Sequence, residues 1–305
     1  MYLSYFGLSE KPFSIAPNPQ YLFLSERHKE ALAHLTYGLG EAGGFVLLTG
    51  EVGTGKTTLT RSLQDQLPEN TQVALIYNPA LSELELLASI CDGFSIGYDE
   101  QNATLKTLTD AIKKHLEANH ASGGHTILII DEAQLLSPDV LEQLRLLTNI
   151  ETNHKKLLQI VLIGQPELND LLKRNELRQL AQRITARYHL LPLTQGQTFA
   201  YVKHRLYVAG CDRTIFTQDA LKALYLLTMG VPRLVNLLCE RCLVGAFSKQ
   251  LMMIDSDIVM RSAQEALPPT TLSSELKTDK TSYHWLFPVA FLVVLSMGIG
   301  LSFIF

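Results

Sequence analysis

The run Phe45, Val46, Leu47, Leu48, Thr49 leads directly into Gly50, Glu51, Val52, Gly53, Thr54, Gly55, Lys56 and Thr57, and no other feature narrows the possible folds so far. A short continuous apolar run is what a strand covered on both faces of a parallel sheet requires. The eight residues after it fill every fixed position of G-x-x-x-x-G-K-[ST], the Walker A pattern, which sits between a strand and a helix. Glycine at 50, 53 and 55 lets the backbone turn so that successive N–H groups point inward at phosphate oxygens. The following helix, with Thr58 in its first turn, presents its positive end to the same anion. Lys56 is placed to reach the β- and γ-phosphates, and the Thr57 hydroxyl to coordinate Mg²⁺. ATP and Mg²⁺ are the expected cofactors.

A second motif supplies carboxylates. Ile127, Leu128, Ile129 and Ile130 end in Asp131 and Glu132. At the tip of a central strand Asp131 would hold Mg²⁺, directly or through water, and Glu132 would polarise the attacking water as general base. Open α/β sheets collect their ligands at the carboxyl ends of strands, so the two motifs together predict hydrolysis as well as binding. Ile160, Val161, Leu162 and Ile163 form a further apolar run, followed by Gly164 and Gln165. If that strand lies beside the Asp131 strand, Gln165 would sense the γ-phosphate or the lytic water.

Arginines stand in two places. Arg178, Arg183 and Arg187 lie just before or at a fifth strand, and Arg233 follows Gly230, Val231 and Pro232 at a helix start. Arginine at a γ-phosphate can raise turnover by about 10³–10⁵-fold. A surface ion pair is worth about 0–1 kcal/mol, and it is the expectation for most of the four, since no site can use them all.

The pattern along the chain alternates strands with helices. Strands are expected at 45–49, 73–77, 126–130, 157–163 and, briefly, 188–191, with helices at 57–67, 84–93, 105–119 and 138–150 between them. That alternation means right-handed βαβ units and a parallel sheet covered on both faces. From residue 193 the strand signals stop. Helices at 197–209, 217–229, 232–247 and 255–266 then read as a compact all-α unit, with Thr194, Thr217 and Asp255 as N-caps. The expected organisation is an N-terminal segment with a first helix over 1–44, an α/β core over 45–192 and a helical lid over 193–267. A linker over 268–284 rich in Ser, Thr and Pro follows, then an apolar segment over 285–305. Residues 1–27, rich in aromatics and prolines, are expected to wrap the surface.

Residues 285–305 carry no charged side chain and run to the last residue, with Tyr283 and Trp285 at the entrance. As a helix the segment would span about 30 Å, the thickness of a hydrocarbon core, so a C-terminal transmembrane helix is expected. No basic stretch followed by an apolar one opens the chain, and no signal peptide is expected.

Composition sets the outer limits. Hydrophobic residues make up 47% and charged residues 18%, which excludes disorder as the main state. A net charge of −4 provides no general attraction to nucleic-acid phosphates, so nucleic acid is not an expected partner. The four cysteines, Cys91, Cys211, Cys239 and Cys242, are too few for a disulfide framework in a chain this long. The isolated C-x-x-C at 239–242 reads as helical thiols in a reducing compartment rather than a zinc site, which needs a second ligand pair.

These motifs resemble the AAA+ superfamily and, more narrowly, the ExeA/GspA family of secretion-pathway ATPases with its MshM-type relatives in MSHA pilus biogenesis. The residues that carry the resemblance are Tyr5-Phe6-Gly7-Leu8-Ser9-Glu10-Lys11-Pro12-Phe13, Pro17-Asn18-Pro19, His28 and Tyr37-Gly38. Further on they are residues 50–57, Asp131-Glu132-Ala133-Gln134, Gly164-Gln165-Pro166-Glu167-Leu168, Gln182-Arg183-Ile184 and Gly230-Val231-Pro232-Arg233-Leu234-Val235-Asn236. The resemblance spans about residues 1–267 and implies several roles. Arg183, or failing it Arg187, would be a finger reaching a neighbour's ATP site. Arg233 would be the lid arginine that reads the γ-phosphate, and Lys11-Pro12-Phe13 would lie near the adenine. A homo-oligomer with shared sites follows, with inner-membrane pilus or secretion proteins as partners. ATP places residues 1–284 in the cytoplasm, so a single-pass protein of the bacterial inner membrane is expected. Secretion-pathway members carry a peptidoglycan-binding region beyond their transmembrane segment, and the shorter form here resembles the pilus-biogenesis relatives more. The function expected is a membrane-anchored ATPase assisting type IV pilus or type II secretion assembly. The alternative is an ATP-dependent DNA-binding regulator of the transposition-ATPase type.

Overall fold

Alternate side chains of the central strands are buried in two different cores, which is why those strands read as unbroken apolar runs. The computed structural model describes residues 1–16, 18–40, 44–77, 79–152 and 155–267. Within them five strands, β1 (Phe45–Gly50), β2 (Thr71–Ile76), β3 (His125–Ile130), β4 (Gln159–Gly164) and β5 (Ile184–Leu190), form one sheet in the order β2-β3-β4-β1-β5. Every pairing is parallel. On one face Phe45, Leu47, Leu128, Ile130, Ile160 and Leu162 are buried in a common core. On the other Val46, Leu48, Ile127, Ile129, Val161 and Ile163 are buried in a second.

The helices that supply those cores are α2 (Glu26–Gly40), α3 (Lys56–Gln64), α4 (Glu83–Gly93), α5 (Leu105–Ala121) and α6 (Pro138–Leu147), after a short α1 (Tyr2–Phe6). Two brief turns, α7 (Glu167–Leu172) and α8 (Arg178–Ala181), lead from β4 to β5. α2 and α3 bury Ala31, Leu32, Leu35, Leu59 and Leu63 against the second face. α4, α5 and α6 bury Leu87, Ile112 and Leu144 against the first. Residue 193 onward is helical as expected: α9 (Gln195–Val208), α10 (Gln218–Thr228), α11 (Pro232–Ser248) and α12 (Ser256–Ala266). Thr194, Thr217 and Asp255 accept N–H groups of Gln197, Ala220 and Ile258, the three caps read from sequence.

Two local readings need correction. β5 is seven residues long rather than a brief run at 188–191, because it is an edge strand in which Thr185, Arg187 and His189 face outward and interrupt the apolar pattern. The N-terminal segment does not merely wrap the surface. Phe6, Leu8 and Phe13 are buried in the core of the helical unit beside Phe216, Leu238 and Leu243. Ser9 N–H donates to Ala209 O at 2.8 Å, and Arg213 Nη2 donates to Phe6 O at 2.7 Å. All four cysteines are buried free thiols, with Cys239 and Cys242 on α11.

The apolar segment 285–305 lies outside the described residues. Among the residues described, no helix is long and apolar enough to cross a membrane.

Candidate active site

Strand order places the ends of β1, β3 and β4 side by side, and the residues that follow each of them meet there. The loop after β1 turns sharply into α3. Gly53 has φ +81° and Gly55 φ +103°, conformations that L side chains rarely adopt. Space is closed at both as well. A Cβ at Gly53 would stand 2.5 Å from Arg233 Cβ, and one at Gly55 would stand 2.9 Å from His28 Nε2. Lys56 is 6% exposed, and its Nζ arches back to Gly50 O at 2.8 Å and Glu51 O at 3.2 Å. Burial holds the Lys56 ammonium below its ordinary pKa, opposed by Glu132, Asp131, Glu51 and Glu167.

Asp131 and Glu132 leave β3 in two directions. Thr57 Oγ1 donates to Asp131 Oδ2 at 3.3 Å, and Glu132 N–H donates to Asp131 Oδ1 at 2.9 Å. Burial nevertheless raises the Asp131 carboxyl above its ordinary value. Glu132 sits in the left-handed region at φ 53° and ψ 37°, which non-glycine residues rarely adopt and which turns its side chain away from the strand line. Its Oε2 accepts from Gln134 Nε2 at 2.6 Å and Gln165 Nε2 at 3.2 Å. Burial pushes the Glu132 pKa up, but those two donors and Lys56 outweigh it and hold the carboxylate ionised below its ordinary range.

Gln165 therefore reaches the site from the neighbouring strand, as β3–β4 pairing allows. Gln134 connects the two, since its Oε1 accepts the Gln165 N–H at 3.0 Å. Sequence reasoning gives Gln134 no role at the site. Its signal is a polar side chain two residues after Glu132, in a turn where only proximity to the β4 end makes it matter. His28 is missed in the same way. It is 4% exposed, shares a hydrogen bond with Ser25 Oγ at 2.7 Å and packs under Gly55. Burial holds its pKa below 6.5, against a hydrogen bond with the Thr54 backbone.

Of these groups His28, Lys56, Thr57 and Glu132 border a cleft of about 680 Å³. One side is the loop itself, with Val52, Gly53, Thr54, Thr57 and Thr58. Another is the helical unit, with Tyr201, Arg205, Arg233 and Asn236, and a third is the N-terminal segment from Ser14 to Phe23. Lys11, Pro12 and Phe13 do not line it, because Phe13 is drawn into the helical core against Phe216. Ser14, Ile15, Ala16 and Asn18 take that wall instead.

The arginines separate clearly. Arg233 stands at the start of α11 with its N–H on Gly53 O at 3.3 Å, and among the described residues its guanidinium has no hydrogen bond or ion pair. Arg183 is away from the cleft. Its Nη1 donates to Arg145 O, Thr148 Oγ1 and Asn149 Oδ1 at 3.1, 3.0 and 2.7 Å, closing the C-terminal end of α6. Arg187 is exposed and donates to Ala181 O at 2.9 Å beside Lys173 and Arg178.

Comparison with known proteins agrees with this geometry. Residues 40–172 match the AAA domain family. Over 249 residues, 82% of the chain, it is 62% identical to general secretion pathway protein A of Aeromonas hydrophila. The chain spans 45% of that relative's length. Among solved structures, Cdc6p from Pyrobaculum aerophilum superposes with a TM-score of 0.62 at 19% identity, over 84% of this chain and 70% of that one. The ORC2 protein of Aeropyrum pernix, in its ADPNP–ADP complexes, gives 0.59 at 17% identity, over 84% and 72%. At these identities the two share the fold, a P-loop α/β sheet flanked by helices.

Proposed function

The chain belongs to the general secretion pathway protein A family over the residues they share, and on that premise we propose that it hydrolyses ATP to serve a secretion or pilus assembly at the bacterial inner membrane. The observation that carries the hydrolytic reading is the convergence of Lys56, Thr57, Asp131, Glu132 and Gln165 at adjacent strand ends. The loop amides and the α3 N-terminus bind phosphate oxygens, and Lys56 swings from Gly50 O to the phosphates. Glu132, kept ionised and aimed by Gln134 and Gln165, accepts the proton of the attacking water. Gln165, touching the same carboxylate, senses whether a γ-phosphate is present. Arg233 contributes charge from the helical side.

Thr57 Oγ1 and Asp131 Oδ2 offer the hard oxygen ligands that Mg²⁺ prefers, and the raised pKa of Asp131 marks a buried carboxylate short of positive charge. There Mg²⁺ would be held by Thr57 and Asp131 and would supply charge neutralisation at the phosphates. Arg183 or Arg187 completes a neighbouring copy's site, which makes hydrolysis depend on homo-oligomer assembly. Residues 285–305 anchor the protein as a single transmembrane helix, with residues 1–284 in the cytoplasm and pilus or secretion proteins as partners. The MshM-like pilus role is the finer form of this reading.

Phosphate release from ATP by the full chain in inner-membrane vesicles, with and without Mg²⁺, tests it. Mg²⁺-dependent turnover that stays with the membrane through a high-salt wash supports the reading. A protein that neither binds nor hydrolyses ATP, or one released by salt that binds DNA with a steep salt slope, overturns it.

A further inference from the structure

The wall of the cleft formed by the N-terminal segment is fastened to the helical unit by one buried side chain. Arg205, on α9, is 7% exposed, and among the described residues it has no carboxylate partner. Its fork instead spreads over three acceptors. Nε donates to Pro12 O, Nη2 to Ser14 O at 3.1 Å, and Nη1 to Tyr201 Oη at 2.8 Å. Its guanidinium also lies over the Tyr21 ring, 4.8 Å from the centroid. Tyr201 passes the connection on by donating to Asn236 Oδ1 at 2.8 Å. Asn236 is on α11, three residues and therefore about one turn after Arg233, whose N–H rests on Gly53 O.

A buried cation without a counter-ion is costly to maintain unless its donors are satisfied by fixed acceptors. Here two of the three acceptors are backbone carbonyls of the N-terminal segment, Pro12 O and Ser14 O, and Ser14 borders the cleft, a placement that general core packing does not require. We propose that Arg205 is a positioning residue for nucleotide. It ties residues 12–21 to α9 and, through Tyr201 and Asn236, to the helix that carries Arg233. The N-terminal wall and the Arg233 wall then approach or leave the phosphate loop as one body, so nucleotide held between them is gripped by both together. The proposal rests on the cleft taking ATP, as argued above.

Lysine at 205 keeps the charge but cannot present donors in three directions from a planar fork. The test compares full-length wild type with Arg205→Lys and Tyr201→Phe, the second removing only the hydroxyl link. Hydrogen exchange of residues 10–23 and the KM and kcat for ATP are read on each, with Tm to confirm folding. Arg205→Lys is expected to expose the amides of residues 10–23 while those of β1 and α12 stay protected. It raises the KM for ATP about tenfold, a 1.4 kcal/mol loss of grip, with kcat little changed. Tyr201→Phe shifts the same quantities less, and methylguanidinium partly restores KM in Arg205→Ala. Folded variants with wild-type exchange in 10–23, or with loosened exchange but wild-type KM, overturn the proposal. A wild type that does not bind ATP overturns the nucleotide reading itself, and is recognised without reference to the variants.

Discussion

Thr57 Oγ1 donates to Asp131 Oδ2 at 3.3 Å, joining the first turn of α3 to the end of β3 across 74 residues of sequence. Asp131→Asn keeps one acceptor oxygen for the Glu132 N–H, turns an amide donor towards the Thr57 hydroxyl, which can accept from it, and removes the charge. The Asp131 pKa is raised in the fold, so the unfolded chain gives up its proton first as pH rises. Its contribution is full below the ordinary carboxyl value and is lost as pH climbs through the folded one. At neutral pH the ionised carboxylate therefore costs stability. Asp131→Asn is expected to raise Tm at pH 7, with no gain at pH 3, while Mg²⁺-dependent hydrolysis falls. Thermal melts at the two pH values and a phosphate-release assay check this.

Gly53→Ala places a methyl 2.5 Å from Arg233 Cβ and asks an L residue to hold φ +81°. The left-handed conformation alone costs about 1–2 kcal/mol. Relief comes by separating α11 from the loop, so ATP affinity should fall along with Tm. Equilibrium binding of ATP and a melting curve read both losses, and an unchanged affinity would mean that the α11 contact does not shape the loop.

His28 is held neutral beneath Gly55 by burial, with a folded pKa under 6.5. For a histidine with a depressed pKa, stability is full above the unfolded value and is lost as pH falls towards the folded one. His28→Asn keeps a polar partner for Ser25 but cannot titrate. The Tm difference between wild type and His28→Asn should therefore shrink as pH drops from 7 to 5. A constant difference would remove His28 as the group responsible.

Arg183 and Arg187 divide by what they already bond. Arg183→Ala strips three acceptors at the end of α6 and should cost about 1–2 kcal/mol of stability. Arg187, exposed with one carbonyl partner, should leave Tm unchanged when replaced by alanine. If either acts in trans, mixing that variant with a Glu132→Gln chain restores turnover at mixed interfaces, and the arginine that shows no such restoration is structural.

Much of this arrangement is legible in the sequence. β1, β3 and β4 are readable because burial on both faces forces continuous apolar runs, and the motif residues at their ends follow by spacing. β5 is underestimated because its outward residues Thr185, Arg187 and His189 hide an edge strand. The wall at 14–23 is not legible at all. Its Ser14 carbonyl accepts from Arg205 and its Phe23 ring meets the Tyr201 ring edge-on, both nearly two hundred residues away, and no local periodicity in an aromatic and proline-rich segment reports a partner that distant. Gln134 is visible only as a polar residue in a turn, since its role depends on the registration of β3 beside β4.

Hydrolysis at this site depends most directly on Glu132, fixed at φ 53° with Gln134 and Gln165 on one carboxylate oxygen. Glu132→Gln keeps the volume and removes the base. Single-turnover phosphate release should fall by about 10²–10⁴-fold while ATP binding is retained. Phosphate release at the wild-type rate from that variant would contradict the assignment of this site as a hydrolytic one.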